Sequence, residues 1–303
     1  MENVLLAGGT GLIGTRLSAL LLREGYSVSI LSRSHRGTSG SLRYYRWNIQ
    51  KGYIDPEALA AATHVINLTG APVAGSRWTP SRKRKILESR VLSTRLLREA
   101  ATRSDRIKTF INASAVGFYG NGGSRWLTET DQPGDDFLAT VCRQWEQEAQ
   151  QPDNASMRTV ILRIGLVLAR EGGALPELLR PMHFGIAPYF NSGNQIQSWI
   201  HADDVCGIFL HALRSTKMQG IYNAVAPTPV SNFELVRTLR NIKQRWALLL
   251  PVPAPVLRLM LGEMASMLLI SQRCSASKIV EAGYSFLYPE IHQALSAEVG
   301  KPG

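Results

Sequence analysis

Gly8-Gly9-Thr10-Gly11-Leu12-Ile13-Gly14 decides how this chain reads. Val4-Leu5-Leu6-Ala7 before it is a short apolar run of the kind that forms a fully buried strand. Leu17, Leu20 and Leu21 after it recur at helical spacing, with Arg16 and Arg23 outside. Strand, glycine turn and helix in that order make a phosphate cradle. Glycines let the backbone turn tightly and approach a pyrophosphate, while the helix N-terminus presents unpaired N–H groups and a partial positive charge. A glycine triplet alone also occurs in ordinary turns; the flanking strand and helix supply the context the chemistry requires. Gly8, Thr10, Gly11, Leu12, Ile13 and Gly14 are the first expected cofactor contacts.

Further along, Ser27 to Leu31 reads as a second strand, Tyr44 to Trp47 as a short one, and His64 to Leu68 as a buried one that breaks at Thr69-Gly70-Ala71-Pro72. A long helix, strand Thr109 to Ala113, helix Phe137 to Gln150 and strand Thr159 to Arg163 continue the alternation. The pattern predicts an α/β fold, a doubly wound parallel (Rossmann) sheet covered on both faces. Beyond Gly165 the alternation loosens into loops rich in Gly and Pro, with helices from Asp203 to Leu213 and from Asn232 to Arg240. The expected organisation is a dinucleotide-binding domain over residues 1–165 and a smaller C-terminal substrate lobe over 166–303, interleaved with the first. The greasiest stretch, Ala247 to Ile270, is interrupted by Pro251, Pro253, Pro255, Arg258 and Glu263, so its remainder is too short to span a bilayer. It reads as a buried proline-rich entry followed by a core helix; alternatively, Met260, Met264 and Met267 line an adaptable pocket.

With 45% hydrophobic and 19% charged residues the composition is that of a globular protein. Cys142, Cys206 and Cys274 lie far apart, fit no metal-ligand spacing and suggest a reducing compartment without a disulfide framework. No basic segment followed by an apolar run comes after Met1, so the expected setting is cytoplasmic. The net charge is +11, of which the segment Arg77 to Lys108 contributes +8. Ile86, Val91, Leu92, Leu96 and Leu97 give that segment roughly helical spacing, which makes it one long helix with a solvated basic face. Aromatic residues are not interleaved with the basic ones as a single-strand platform would need. The expected partner is therefore a small molecule, with no nucleic acid and no membrane; self-association is left open. His183, His201 and His211 show no two-ligand spacing, and no metal site is expected.

At the end of the second strand an acidic residue would accept hydrogen bonds from the ribose 2′-hydroxyl of NAD. This chain has Ser32 and Arg33 there, with Arg36 close behind. A guanidinium pairs with a 2′-phosphate and a carboxylate would repel it, so NADP(H) is expected over NAD(H). The alternative is that Arg33 only caps the strand. Leu68, Thr69 and Gly70, and Val167 past Gly165, fall on the carboxyl edge of the sheet where the rest of the dinucleotide should lie. Arg90 or Lys85 could reach a phosphate or could serve the surface.

Four landmarks in order now resemble the extended, epimerase-like branch of the short-chain dehydrogenases/reductases: Gly8 to Gly14; Ser114 through Phe118-Tyr119-Gly120; Glu129 with Pro133; and Trp199-Ile200-His201-Ala202-Asp203-Asp204. More narrowly, Asn67-Leu68-Thr69-Gly70-Ala71-Pro72, Arg77-Trp78, Glu88-Ser89-Arg90, Arg143-Gln144-Trp145-Glu146 and Ala282-Gly283-Tyr284-Ser285-Phe286 resemble blocks of SDR39U1-type epimerase family proteins, which end in a small family-specific segment. The resemblance implies NADP(H) binding and supplies no defined substrate. The extended branch carries Tyr-x-x-x-Lys on the helix after the fifth strand, where the lysine shares the tyrosine's face and, with the oxidised nicotinamide, lowers the phenol's pKa toward neutral pH so that it can exchange a proton. Here the pair falls on Leu138 and Cys142, and the narrower family resembles this lack. Ser114, which matches the substrate-polarising hydroxyl, and Tyr119 are the catalytic candidates, with packing in the strand-loop core the equal alternative for Tyr119. Cys142 reads better as a buried inert thiol; His201 reads either as a proton-transfer group or as the holder of a structural hydrogen bond to Asp203 or Asp204. The expected activity is NADP(H)-dependent oxidoreductase or epimerase chemistry on a small carbonyl, alcohol or sugar-nucleotide substrate. The rival is a cofactor-binding redox sensor or structural protein without turnover.

Overall fold

The computed structural model describes residues 2–34, 36–150, 157–243 and 246–300. Strand β1 (Asn3–Ala7) leads into α1 (Leu12–Arg23), and β2 (Ser27–Ser32) returns beside β1. A short hairpin of β3 (Gly37–Ser39) and β4 (Leu42–Asn48) follows, then β5 (Tyr53–Ile54), α2 (Pro56–Ala61) and β6 (His64–Asn67). The basic segment is indeed one long helix, α3 (Pro80–Thr102). Thr79 caps it, accepting from the Arg82 N–H at 3.2 Å, and Pro80 occupies the first turn, where its missing N–H costs nothing. Next come β7 (Thr109–Ala115), β8 (Trp126–Leu127), α4 (Phe137–Ala149) and β9 (Arg158–Ile164).

Apart from β8, which pairs with a later strand, and β5, which pairs only with β4, these strands make one large sheet in the order β15-β9-β7-β6-β1-β2-β4-β3, with β15 (Gly220–Ala224) contributed by the C-terminal half. All pairings along it are parallel except the β3–β4 hairpin. Side-chain alternation divides the buried residues between two cores. Val4, Leu6, Ile30, Ile66, Ile111 and Leu162 point to one face; Leu5, Ala7, Leu31, Val65, Phe110 and Ile161 point to the other. Both faces being covered is why these strands read as continuous apolar runs. From β1 the chain first goes outward to β2 and later returns to β6 on the opposite side. The strand order therefore reverses at β1, which opens a crevice at its carboxyl end.

Beyond β9, the strands β10 (Leu166–Ala169), β11 (Gly172–Gly173), β12 (Ile186–Phe190), β13 (Ile196–Gln197) and β14 (Trp199–His201) form small sheets beside α5 (Ala174–Met182). Helix α6 (Ala202–Arg214) covers the main sheet, and β15 joins its edge against β9. Then β16 (Val230–Ser231), α7 (Asn232–Lys243), β17 (Leu248–Val252), α8 (Ala254–Leu261), α9 (Ser266–Leu269), β18 (Arg273–Cys274), α10 (Ser277–Glu281) and α11 (Ile291–Val299) complete the chain. A third core, with Leu175, Trp199, Leu235, Leu239 and Leu295, sits under this half.

The stretch Ala247 to Ile270 corrects the sequence expectation. It is no buried entry with a core helix. Prolines divide it into an edge strand, β17, and a two-turn helix, α8, whose Leu259 is 77% and Met260 63% exposed. Two turns cannot bury a full apolar face. Leu257 and Met264 do turn inward, Met264 against Trp78, Ile86 and Val141. Among the described residues no helix is long and apolar enough to cross a membrane.

Candidate functional site

The glycine turn is built by close backbone approach. Gly11 caps α1 and its N–H donates to the Gly8 carbonyl at 3.1 Å. Gly8 has φ +83°, and a Cβ there would stand 2.9 Å from the Leu68 carbonyl group; a Cβ on Gly14 would overlap the Gly8 carbonyl oxygen. The turn thus locks against the end of β6 and leaves the start of α1 open to an anion.

The neighbouring loop is held from behind by α3. Thr69 N–H donates to Asn67 Oδ1 at 3.1 Å, the Ala71 N–H donates to Ser89 Oγ at 2.9 Å, and Arg90 Nη1 donates to the Ala71 and Ile86 carbonyls at 3.1 and 3.0 Å. The Arg90 guanidinium lies directly under Gly70, where a Cβ would come within 2.8 Å of it, and over the Trp145 ring. Only glycine leaves room for that guanidinium.

A cavity of about 710 Å³ opens at this crevice. Of the sequence-derived cofactor candidates, Gly8, Thr10, Gly11, Ser32, Arg33, Leu68, Thr69 and Gly70 line it. The others stand behind it. Gly14 supports the turn, the Leu12 side chain packs toward Gly172, and the Ile13 carbonyl lies 3.8 Å from Cys206 Sγ. Val167 pairs with Ile200 across β10 and β14, and Arg90 braces the loop. Arg36 turns away to Asp55 at 3.3 Å and Glu57 at 3.7 Å. The sequence pattern does not single out Tyr44 and Trp47 on β4 or Arg82 and Ser89 on α3 as lining residues, and it offers Lys85 only as an alternative to Arg90. That β4 also ends on the carboxyl edge was the one available signal for the first pair.

Ser114 and Tyr119 meet in a different place, a buried polar chain. Ser114 Oγ donates to Glu146 Oε1 at 2.6 Å, and Arg163 holds the same carboxylate by two bonds of 2.9 Å. Arg163 Nη1 donates to the Tyr119 phenol oxygen at 2.9 Å, and the phenol donates to Asn223 Oδ1 at 2.7 Å. Ser114 and Tyr119 are each only 3% exposed. Burial pushes the Tyr119 phenol up from its ordinary value although Arg163 pulls it down. Neither hydroxyl lines the crevice cavity.

At the positions of the missing tyrosine and lysine, Leu138 and Cys142 lie against Gly117, and burial together with the Glu146 charge pushes the Cys142 thiol up to about 12. His201 caps α6, accepting at Nδ1 from the Asp203 N–H at 3.1 Å, while Nε2 faces Glu298 at 3.1 Å. Among the described residues no group of three or more His, Cys, Asp or Glu could hold a metal ion.

Comparison with known proteins agrees with this architecture. Residues 4–224 match the NAD dependent epimerase/dehydratase family, and residues 252–298 match a domain of unknown function, DUF1731. The chain is 36% identical over 299 residues to epimerase family protein YfhF of Bacillus subtilis, covering 97% of both chains. It is 32% identical over 298 residues to the human epimerase family protein SDR39U1, covering 97% of this chain and 98% of that one. The crystal structure of human SDR39U1 (isoform 2) with NADPH superposes with a TM-score of 0.88 at 31% identity, over 98% of this chain and 99% of that one. With the Rossmann sheet, the glycine turn and the C-terminal segment all present, the chain belongs to the NAD dependent epimerase/dehydratase family, as a homologue of SDR39U1.

Proposed function

We propose that this protein binds NADP(H) in the crevice above β1 and acts as an oxidoreductase or epimerase-like enzyme on a small carbonyl, alcohol or sugar-nucleotide substrate. The observation that carries the cofactor is the cavity wall. The open start of α1 suits a pyrophosphate, and Ser32 and Arg33 at the end of β2 suit a 2′-phosphate, with no carboxylate among the lining residues. The human relative whose structure contains NADPH supports the same reading. Bound NADP(H) would supply hydride chemistry; the chain would cradle its phosphates and hold the substrate between the carboxyl edge and the C-terminal half. Ser114 and Tyr119 stay the candidates for polarising the substrate oxygen and moving a proton. To touch substrate they must exchange their bonds to Glu146 and Asn223. A cytoplasmic setting belongs to this reading, supported by three buried free cysteines.

A second reading, cofactor binding without turnover, is favoured by one specific observation: the polar chain around Arg163 already satisfies both candidate hydroxyls. Hydride exchange separates the two. Stereospecific transfer of label between NADPH and a panel of carbonyl substrates supports the enzyme, whereas tight binding with no exchange supports the sensor.

The cofactor itself is tested by thermal shift. A ligand at a hundred times its Kd adds about 2.7 kcal/mol to stability, so NADPH should raise Tm more than NADH. Arg33→Asp should abolish or reverse that preference. Equal shifts by both dinucleotides before and after the change would refute it.

A further inference from the structure

The crevice cavity draws its lining from β1, β2, β3, β4, β6 and their loops and from α3, and none from β7 or β9. It therefore covers the adenosine half of a dinucleotide, where β2 and β4 end. Arg33 stands on one wall. Arg82 and Lys85, three residues apart and so on one face of α3, stand on another. Arg82 Nη2 donates to the Pro72 carbonyl, which pins the guanidinium against the wall, and its Nε is buried with no hydrogen-bond partner. Lys85 is exposed, and among the described residues it has neither a hydrogen-bond nor an ion-pair partner. Three cations thus line one concave site that contains no carboxylate. An anion bound in it would relieve their mutual repulsion. A phosphate monoester, carrying about −1.5 to −2 at pH 7, relieves it better than a diphosphate group spread along the start of α1.

We propose that Arg82 and Lys85 form the second half of a 2′-phosphate clamp, so that α3 as well as the end of β2 sets the choice of NADP(H) over NAD(H). The proposal rests on the cofactor reading above. It also gives the basic face of α3 a ligand, where charge pattern alone leaves it a solvated surface.

Titration of NADPH and NADH into the whole protein and into Lys85→Gln and Arg82→Gln tests it. Each variant should weaken NADPH at least about tenfold, the usual scale for a lost charge-assisted contact. NADH binding should stay within about twofold, which also reports that the site is still folded. Lys85→Gln removes a side chain with no internal partner, so it tests the clamp without disturbing the Pro72 loop. Equal weakening of both dinucleotides would move the two residues to the diphosphate and overturn the proposal, as would no weakening at all. The two failures are distinguishable. Wild-type protein that binds neither dinucleotide defeats the cofactor reading itself; a wild-type NADPH preference that survives both variants defeats only the clamp.

Discussion

At the scale of single residues, the site is defined by atoms that have no room to move. Gly14 is the clearest case, since a Cβ there would overlap the Gly8 carbonyl oxygen and come within 2.6 Å of Gly9 Cα. Gly14→Ala is expected to destabilise the fold by about 1–3 kcal/mol, the usual cost of overpacking. It should weaken NADPH and NADH alike, because it displaces the turn and not the 2′ end. Thermal denaturation with paired titrations checks both; a selective loss of NADPH would place the damage elsewhere. Arg163 is the opposite kind of residue, a buried charge made tolerable by Glu146, Tyr119 and the Phe118 ring 3.5 Å from its guanidinium. A buried cation needs that much company. The sequence named Ser114 and Tyr119 because of the resemblance. It could not say that Glu146 and Asn223, 32 and 104 residues further on, would take up their hydroxyls.

At the scale of elements, strands were legible and their side contacts were not. Strands buried on both faces leave short continuous apolar runs bounded by turns, and β1, β2, β6, β7 and β9 fall within a residue or two of the expected limits. Hydropathy misleads over Ala247 to Ile270 because it reports greasiness and not depth, and two turns of helix leave Leu259 and Met260 outside. Strand β6 also carries a pH dependence. His64 at its start is buried; burial pushes its pKa below the ordinary 6.5, with the Glu2 carboxylate 3.5 Å away pulling the other way and Lys108 and Arg158 adding to the lowering. Because the folded state holds His64 neutral, its contribution to stability is intact above the unfolded value and is lost as pH falls below about 6.5. Urea unfolding between pH 7.5 and 5.5, values about one unit either side of that midpoint, should show stability falling with pH. His64→Asn should flatten that slope; an unchanged slope would assign it to other groups.

At the scale of the whole molecule, the C-terminal segment is tied to the nucleotide end by charge. Glu298 on α11 accepts from the Arg170 N–H at 2.6 Å, lies 3.0 Å from Arg16 on α1 and faces His201. Arg16 also reaches Glu171 and Asp203. Burial raises the Glu298 carboxyl, but the contacts with His201, the Arg170 N–H and Arg16 outweigh it and hold the group below its usual value. Glu298→Ala is expected to cost about 1–3 kcal/mol by leaving those partners unsatisfied. The matching check is Tm with and without NADPH; no drop in either would show α11 to be independent of the rest. The sequence by itself determined the Rossmann order and the glycine cradle, because strand alternation, helical spacing and turn glycines are local codes read within about ten residues. It also determined Ser32 and Arg33 at the strand end and the absence of the tyrosine-lysine pair. Tertiary structure alone decided which cations share a cavity, which hydroxyls are already bonded and which greasy segment lies outside. Those depend on side chains from distant parts of the chain meeting at one point, and no local pattern encodes such a meeting.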